Sequence, residues 1–379
     1  MTTATKSQTL NVPILDLKAQ HATIKDAVMA KVQAVIDNQA FVLGQSVLDL
    51  EAEIAKLSHA TYGIGVASGT DGLLIPLKAL DLKPGDEVIT TPFTFFATAG
   101  AIHNAGGRSV FVDIEPDTYN IDVKAVEAAI TPKTRAIVPV HLYGQMANIE
   151  AIMAMAKKKG IAVIEDACQS IGARRKIDGQ WRMAGELGTA TAFSFFPSKN
   201  LGGWGDGGMI VTSDEKMEKR VRSIRTHGGT KMYHHEEVGL NSRLDALQAA
   251  ALLGKLPFLA GWSEARRKNA AFYNSELKGV VGVPVTEAAN EHIFHQYVIS
   301  ADKRDELQAH LKARGVGSAV YYPLPLHLQP CFAYLGGKPG QMPHSEAASH
   351  KVLALPVYPE MTQAQKAHVV DSIRGFYGA

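Results

Sequence analysis

Short apolar runs rich in β-branched residues recur along the chain from Gly63 onward: "GIGVAS", "DEVITTP", "RSVFVDI", "RAIVPVHL", "IAVIED", "ATAFSFF" and "GGMIVTS". Helical patterns lie between several of them, such as "NIEAIMAMAKKKG" before "IAVIED", with a glycine where the helix stops. Apolar strands alternating with helices predict an α/β protein with a mostly parallel sheet covered on both faces. Upstream, "SVLDLEAEIAKLS" sets Val47, Leu50, Ile54 and Leu57 near one face, with Ser46 placed to cap it. Residues 242–277 read as a long helix in which Pro257 and Gly261 mark a boundary or kink. Beyond it the pattern changes to a strand at "HQYVIS", an amphipathic helix at "KRDELQAHLKARG" and a Pro-rich loop at "YYPLPLHLQP". The division this predicts is a large domain over 1–260, with an N-terminal helical segment, and a smaller C-terminal α+β domain over 261–379. No internal repeat or low-complexity tract interrupts either part.

Composition narrows the partners. The chain has 379 residues and a formal net charge of +2, which offers no electrostatic attraction to nucleic acid or an anionic membrane. Small molecules are the expected ligands. Two cysteines, Cys168 and Cys331, cannot build a disulfide framework, and the first residues, "MTTATKSQTL", lack the apolar core of a signal peptide. The apolar runs are too short to span a bilayer, so the expectation is a soluble protein of the reducing cytoplasm.

Ligands of open α/β sheets bind beyond the carboxyl ends of the strands, and four candidates stand there. "VASGTDG" opens a helix whose N–H groups near Gly69 and Thr70 suit a phosphate, the bland alternative being a helix cap; Pro76, shortly inside, suggests a kink or late start. Phe95 in "TPFTFFAT" can lie against a flat ring, although an aromatic after a strand is usually core. "IAVIEDACQS" ends an apolar strand in Glu165 and Asp166, carboxylates that either serve a cationic partner or simply cap a helix. In "FSFFPSKNLGGWGDGG", Ser194 precedes Lys199, whose aromatic and glycine surroundings suggest a partly desolvated amine of lowered pKa. Phosphate donors, a ring platform, a strand-end acid and an activated lysine together describe a pyridoxal phosphate site.

The segments "FSFFPSKNLGGWGDGG", "EDACQS", "ASGTDG", "TPFTFFAT", "HLYGQ" and "VGLNSRLDALQ" resemble the DegT-type sugar-nucleotide aminotransferases. The resemblance runs from about "PILDLKAQ" to "LALPVYPEM" and implies the aspartate aminotransferase-like fold, fold type I of the pyridoxal phosphate enzymes. It implies Lys199 as the Schiff-base lysine, Asp166 as partner of the ring nitrogen and Gln169 as partner of the ring hydroxyl. Phe95 takes the stacking position. Gly69, Thr70 and Ser194 become phosphate contacts within one subunit and Asn241 a contact from the neighbouring one, hence a homodimer with shared sites. Arg243 matches a position facing the sugar, with pairing to Asp245 or Glu237 as the alternative.

A lysine at 199, where dehydratase relatives carry histidine, favours transamination: an amino donor, L-glutamate by family habit, and a keto-sugar nucleotide as acceptor. The segment around Arg243 looks most like enzymes acting on UDP-linked 2-acetamido-3-keto-hexuronic acids, with the arginine meeting the sugar carboxylate. Aminotransferases of dTDP-linked 3-keto or 4-keto-6-deoxy sugars, and a non-catalytic pyridoxal phosphate-binding regulator, are the alternatives. Tyr321 replaces a histidine of relatives and can hydrogen-bond a diphosphate. His327 is a further candidate for the nucleotide, as is His295, against structural roles for both. The remaining features read as structural: His234 and His235 lack a zinc-type ligand array, Lys157–Lys159 suits the end of a helix, "GGWGDGG" lacks the Walker spacing, and Cys168 is a small core residue beside the site.

Overall fold

The structure, a computed structural model, describes residues 10–379, so the reading of Met1–Thr9 lies outside the described residues. The strands are β1 Tyr62–Val66, β2 Glu87–Thr90, β3 Arg108–Phe111, β4 Thr134–Val138, β5 Ala162–Asp166, β6 Arg174–Ile177, β7 Gln180–Met183, β8 Ala190–Ser194, β9 Gly208–Thr212, β10 Asn290–Glu291, β11 Tyr297–Ser300 and β12 Val352–Leu355. The helices are α1 Leu17–Asp37, α2 Gln45–Leu57, α3 Gly69–Ala79, α4 Ala97–Asn104, α5 Val123–Ala129, α6 Ile149–Lys159, α7 Glu215–Arg225, α8 Ala246–Lys255, α9 Leu259–Leu277, α10 Arg304–Ala313, α11 Pro343–Lys351 and α12 Gln363–Tyr377. No described helix is long and apolar enough to cross a membrane.

A seven-stranded sheet in the order β1-β9-β8-β5-β4-β2-β3 organises the large part of the chain. β3, β2, β4, β5 and β8 run parallel, whereas β9 is antiparallel to both β8 and β1. Residues 195–207 join β8 to β9 without a helix, and a connection lacking a crossover element returns the chain antiparallel.

Alternation along the strands sorts the core. Ile89, Ile137, Val163, Phe193 and Val211 pack with α1, α2, α6 and α8 on one face, and their neighbours Val88, Ala136, Ile164, Ala192 and Ile210 pack with α3, α4 and α7 on the other. The sheet is thus buried on both sides, as the unbroken apolar runs require.

A second core gathers α9, α10, α12, β11 and β12, and Val12 joins it from the N-terminal side. α9 belongs to both cores: Leu259 and Trp262 pack in the first, Ala270, Tyr273 and Leu277 in the second. Pro257 sits in a 3-10 turn, Leu256–Phe258, that divides the expected long helix into α8 and α9. The β6–β7 hairpin has no counterpart in the sequence reading, and α1 has only the general expectation of an N-terminal helical segment. Ser46 does not cap α2, which starts one residue earlier behind Gly44 with no side-chain cap. Pro76 does not delay α3, which starts at Gly69 and runs through the proline, and the carbonyl left without its donor belongs to Gly72.

Candidate active site

The carboxyl ends of β5 and β8 face a cavity of about 440 Å³ lined by Gly69, Thr70, Phe95, Asp166, Gln169, Ser194, Lys199 and Tyr321. Eight of the sequence-derived residues therefore converge. Strand geometry explains why. Ser194 lies between Phe193 and Phe195, both fully buried in the core of the α1/α2 face, so its hydroxyl must point to the α3 face. The same alternation separates the two strand-end acids. Asp166 shares the face of Ile164 and enters the cavity. Glu165, on the opposite face and fully buried, accepts from the Gly188 N–H at 2.7 Å and the Thr191 hydroxyl at 3.1 Å, and meets His141 Nε2 at 2.7 Å. Because His141 Nδ1 accepts from the Ala147 N–H at 3.1 Å, its proton sits on Nε2 and is donated to Glu165. Glu165 is a structural acid.

Two glycines bring α3 down onto β8. A Cβ on Gly69 would stand 2.6 Å from Ser194 Cβ and 3.1 Å from Cys168 Sγ, and one on Gly72 would stand 3.2 Å from Ala192 Cβ. Ser68 caps the helix, its Oγ accepting from the Asp71 N–H at 3.1 Å, while the Gly69 and Thr70 N–H groups in the first turn have no intrahelical acceptor. Those amides, the helix dipole and Ser194 Oγ form a cradle for an anion.

Lys199 lies in the β8–β9 loop, its N–H donating to the Phe196 carbonyl at 2.8 Å. Burial pushes its amine below the ordinary lysine value, against an opposing pull from Asp166 and Cys168. Asp166, 5% exposed, accepts from Thr98 Oγ1 at 2.8 Å and from the Cys168 N–H at 3.2 Å. Gln169 is clamped at both ends: its Oε1 accepts from the Tyr143 N–H at 2.7 Å, and its Nε2 donates to Tyr322 Oη at 2.9 Å. One Nε2 hydrogen stays available to the cavity. Tyr143 Oη also donates to the Tyr321 carbonyl, fastening the Tyr321–Tyr322 segment over the site. Phe95 is 59% exposed, a face kept open on the cavity wall rather than spent in the core.

Pyridoxal phosphate fits this residue set: an anion cradle that a single Cβ at Gly69 would fill, an amine of lowered basicity, a buried carboxylate and an open aromatic face. When bound, the cofactor supplies an aldehyde carbon that an amine can attack and a ring that takes up carbanion electrons.

Not every expected residue reaches this cavity. Asn241 is exposed and, with Arg243, lines a second cavity of about 640 Å³ that shares Ser68 and Asp206 with the first. Arg243 forms no ion pair with Asp245 or Glu237; Glu237 instead binds Arg220 at 2.9 Å. His327 lies away from both: it is buried in the Leu326–Leu328 turn, with Nε2 3.1 Å from Glu346. His295 is in the Lys199 cavity, its Nδ1 3.2 Å from Asn200 Oδ1, and burial drives its ring far below the usual histidine range. Thr98, Tyr143 and Tyr322 were missed by sequence reasoning; "TPFTFFAT" shows a threonine three residues after Phe95, but nothing in the string points it at Asp166. The thiol of Cys168 is pushed well up by burial, as suits a packing residue. His235 Nδ1 contacts the His227 carbonyl at 2.9 Å, and no metal-capable cluster occurs among the described residues.

The family model for the DegT/DnrJ/EryC1/StrS aminotransferases matches residues 22–374. The chain belongs to that family. It is a pyridoxal phosphate-dependent aminotransferase of fold type I. It is 53% identical to the "Pleiotropic regulatory protein" of Geobacillus stearothermophilus, over 97% of this chain and 99% of that one. It is 46% identical to the UDP-2-acetamido-2-deoxy-3-oxo-D-glucuronate aminotransferase of Pseudomonas aeruginosa, over 93% and 97%. With the UDP-N-acetyl-3-dehydro-alpha-D-glucosamine 3-aminotransferase of Acidithiobacillus ferrooxidans it shares 44%, over 97% and 98%. Among solved structures, DesV of S. venezuelae in complex with a ketimine intermediate superposes with a TM-score of 0.94 at 39% identity, covering 97% of this chain and 99% of that one.

Proposed function

We propose that this aminotransferase moves the amino group of L-glutamate to the 3-keto group of a UDP-linked 2-acetamido-3-keto-hexuronic acid, forming an amino sugar for surface polysaccharide or glycoconjugate biosynthesis. The observation that carries the chemistry is Lys199, an amine of lowered pKa on one cavity with the clamped carboxylate of Asp166. A neutral amine attacks a carbonyl and can then accept and return a proton, so Lys199 is the anchor and the proton carrier. Asp166 keeps the ring nitrogen protonated, Gln169 holds the ring hydroxyl, and Phe95 covers one ring face. Gly69, Thr70 and Ser194 hold the phosphate.

The acceptor is argued from the second cavity. Arg243 lines it and has no carboxylate partner among the described residues, which suits a planar bidentate contact with a sugar acid. Tyr321 supplies a hydroxyl for the diphosphate. The P. aeruginosa relative supports a uronic acid, and the A. ferrooxidans relative supports the UDP-linked 3-keto pattern with a hydroxymethyl in place of the carboxylate. His327 has no part in this proposal because it lines neither cavity and its Nε2 meets Glu346. Asn241, exposed and outside the Lys199 cavity of its own chain, is assigned to the neighbour's phosphate, which makes the working unit a homodimer. The two free cysteines suit the cytoplasm, where thiols stay reduced.

The test begins with the visible spectrum. Wild type incubated with pyridoxal phosphate is expected to show a lysine-bound band that glutamate bleaches, and Lys199→Ala is expected to lack it. A panel then follows: the UDP-linked 3-keto hexuronate, its neutral 3-keto glucosamine counterpart and a dTDP-linked 3-keto sugar, with products identified by mass spectrometry. Selective amination of the hexuronate, lost in Arg243→Ala, supports the proposal. Equal or better turnover of the neutral sugar removes the hexuronate, and failure of glutamate to bleach the band points to the regulatory reading suggested by the name of the G. stearothermophilus relative.

A further inference from the structure

Asp166 owes its orientation to a residue that no charge pattern marks. Thr98, fully buried, donates from Oγ1 to Asp166 Oδ2 at 2.8 Å, while the Cys168 N–H reaches Oδ1 at 3.2 Å. One donor would leave the carboxylate free to turn about its Cβ–Cγ bond; two donors from separate elements, α4 and the loop after β5, set its plane. Thr98 is itself oriented. Its single proton has three acceptors in reach, Asp166 Oδ2 at 2.8 Å, the Thr94 hydroxyl at 3.0 Å and the Phe95 carbonyl at 3.2 Å. The shortest bond, to the carboxylate, is the strongest. With that proton committed, the 3.0 Å contact between the Thr94 and Thr98 hydroxyls has Thr94 as donor. Phe95 and Thr98 are three residues apart on the turn that opens α4, so one backbone segment carries both the open ring face and the acid's clamp.

We propose that Thr98 is a positioning residue for Asp166, holding its carboxylate aimed at the nitrogen of the bound pyridine ring. A carboxylate held at that angle can accept from the protonated ring nitrogen, the form of the ring that draws electrons. This rests on the assignment of Asp166 made above.

The experiment compares wild type, Thr98→Val, Thr98→Ser and Asp166→Asn. The readouts are the dissociation constant of pyridoxal phosphate for the apoprotein, the pH titration of the bound cofactor's visible band, and kcat and KM for glutamate. Thr98→Val is expected to weaken cofactor binding about tenfold, the worth of one hydrogen bond to a charged group. It should shift the pH midpoint of the band in the same direction as Asp166→Asn but less far, and lower kcat with little change in KM. Thr98→Ser, which keeps the donor, should follow wild type. Should valine prevent folding, Thr98→Ala gives the same contrast. Wild-type affinity and titration in Thr98→Val, beside a shifted Asp166→Asn, would overturn the role of Thr98 and leave Asp166 intact. A serine variant as impaired as the valine one would also overturn it, because the threonine's packing would then be what matters. An Asp166→Asn protein that titrates like wild type would sink the assignment of Asp166, and this inference with it.

Discussion

At Gly69 the missing side chain decides how closely the first turn of α3 approaches Ser194. Gly69→Ala brings a methyl to 2.6 Å from Ser194 Cβ, and the contact is with the short, rigid part of the side chain, so the helix start must shift. Overpacking of this kind costs about 1–3 kcal/mol, and we expect pyridoxal phosphate affinity to fall roughly tenfold or more, measured by fluorescence titration of the apoprotein. Lys255 offers a test of a different sort. It is 4% exposed, donates to the Gly202 carbonyl at 2.7 Å, and burial pushes its amine down to about 8. Below pH 8 both the folded and unfolded chains carry the charge, and the fold bears its desolvation. Between about 8 and 10.5 the folded chain has lost the proton that the unfolded chain still binds, so the fold gains stability as pH rises. The urea midpoint of wild type should therefore rise relative to Lys255→Met across that window and stay parallel to it below; parallel curves throughout would contradict the buried charge. Lys199 was legible as a candidate because a lone amine among aromatics and glycines is unusual company, whereas Asp166 stood beside Glu165 and was singled out only by the resemblance. Thr98 was not legible, since a hydroxyl residue after an aromatic is ordinary in sequence and acquires its role only from a partner 68 positions away.

Among the elements, α6 shows local rules carried through unchanged. Asn148 caps its start, accepting from the Ala151 N–H, Lys157–Lys159 fill its last turn, and Gly160 closes it at φ 65°. A Cβ at Gly160 would meet nothing within 4 Å, so Gly160→Ala tests the left-handed backbone alone. We expect a loss of about 1 kcal/mol, read from urea unfolding, and a smaller loss for Gly160→Asn. At β5, the same period-two rule that buries the strand also splits Glu165 from Asp166, and here the string was ambiguous: adjacent acids at a strand end look alike until the two faces are occupied. The β6–β7 hairpin escaped because "ARRKIDGQWRMAG" is charged and only half-buried, with Arg174 lying over the Trp181 ring at 4.7 Å, so its apolar alternation is weak.

For the whole molecule, the proposed homodimer makes a prediction that a monomeric site cannot satisfy. Lys199→Ala and Asn241→Ala each remove a part of the site, but on different subunits if Asn241 serves its neighbour. Mixed and reassembled, the two inactive variants should recover about a quarter of wild-type activity, because half the random dimers then hold one intact site of two. No recovery on verified subunit exchange would place Asn241 in the site of its own chain.

Strand period, helix stops and the company kept by Lys199 are local properties, and they determined the α/β class, the succession of the main strands along the chain and Lys199 as a candidate. What the tertiary structure alone decided involves pairs distant in sequence: which acid faces the cavity, that Thr98 and Cys168 hold it, that Tyr143 clamps both Gln169 and the Tyr321 segment, and that His327 is spent on Glu346 while His295 enters the site. A side chain's direction is set by periodicity within its own element, but its partner is set by how elements pack, and packing is a property of surfaces that no single stretch of sequence contains.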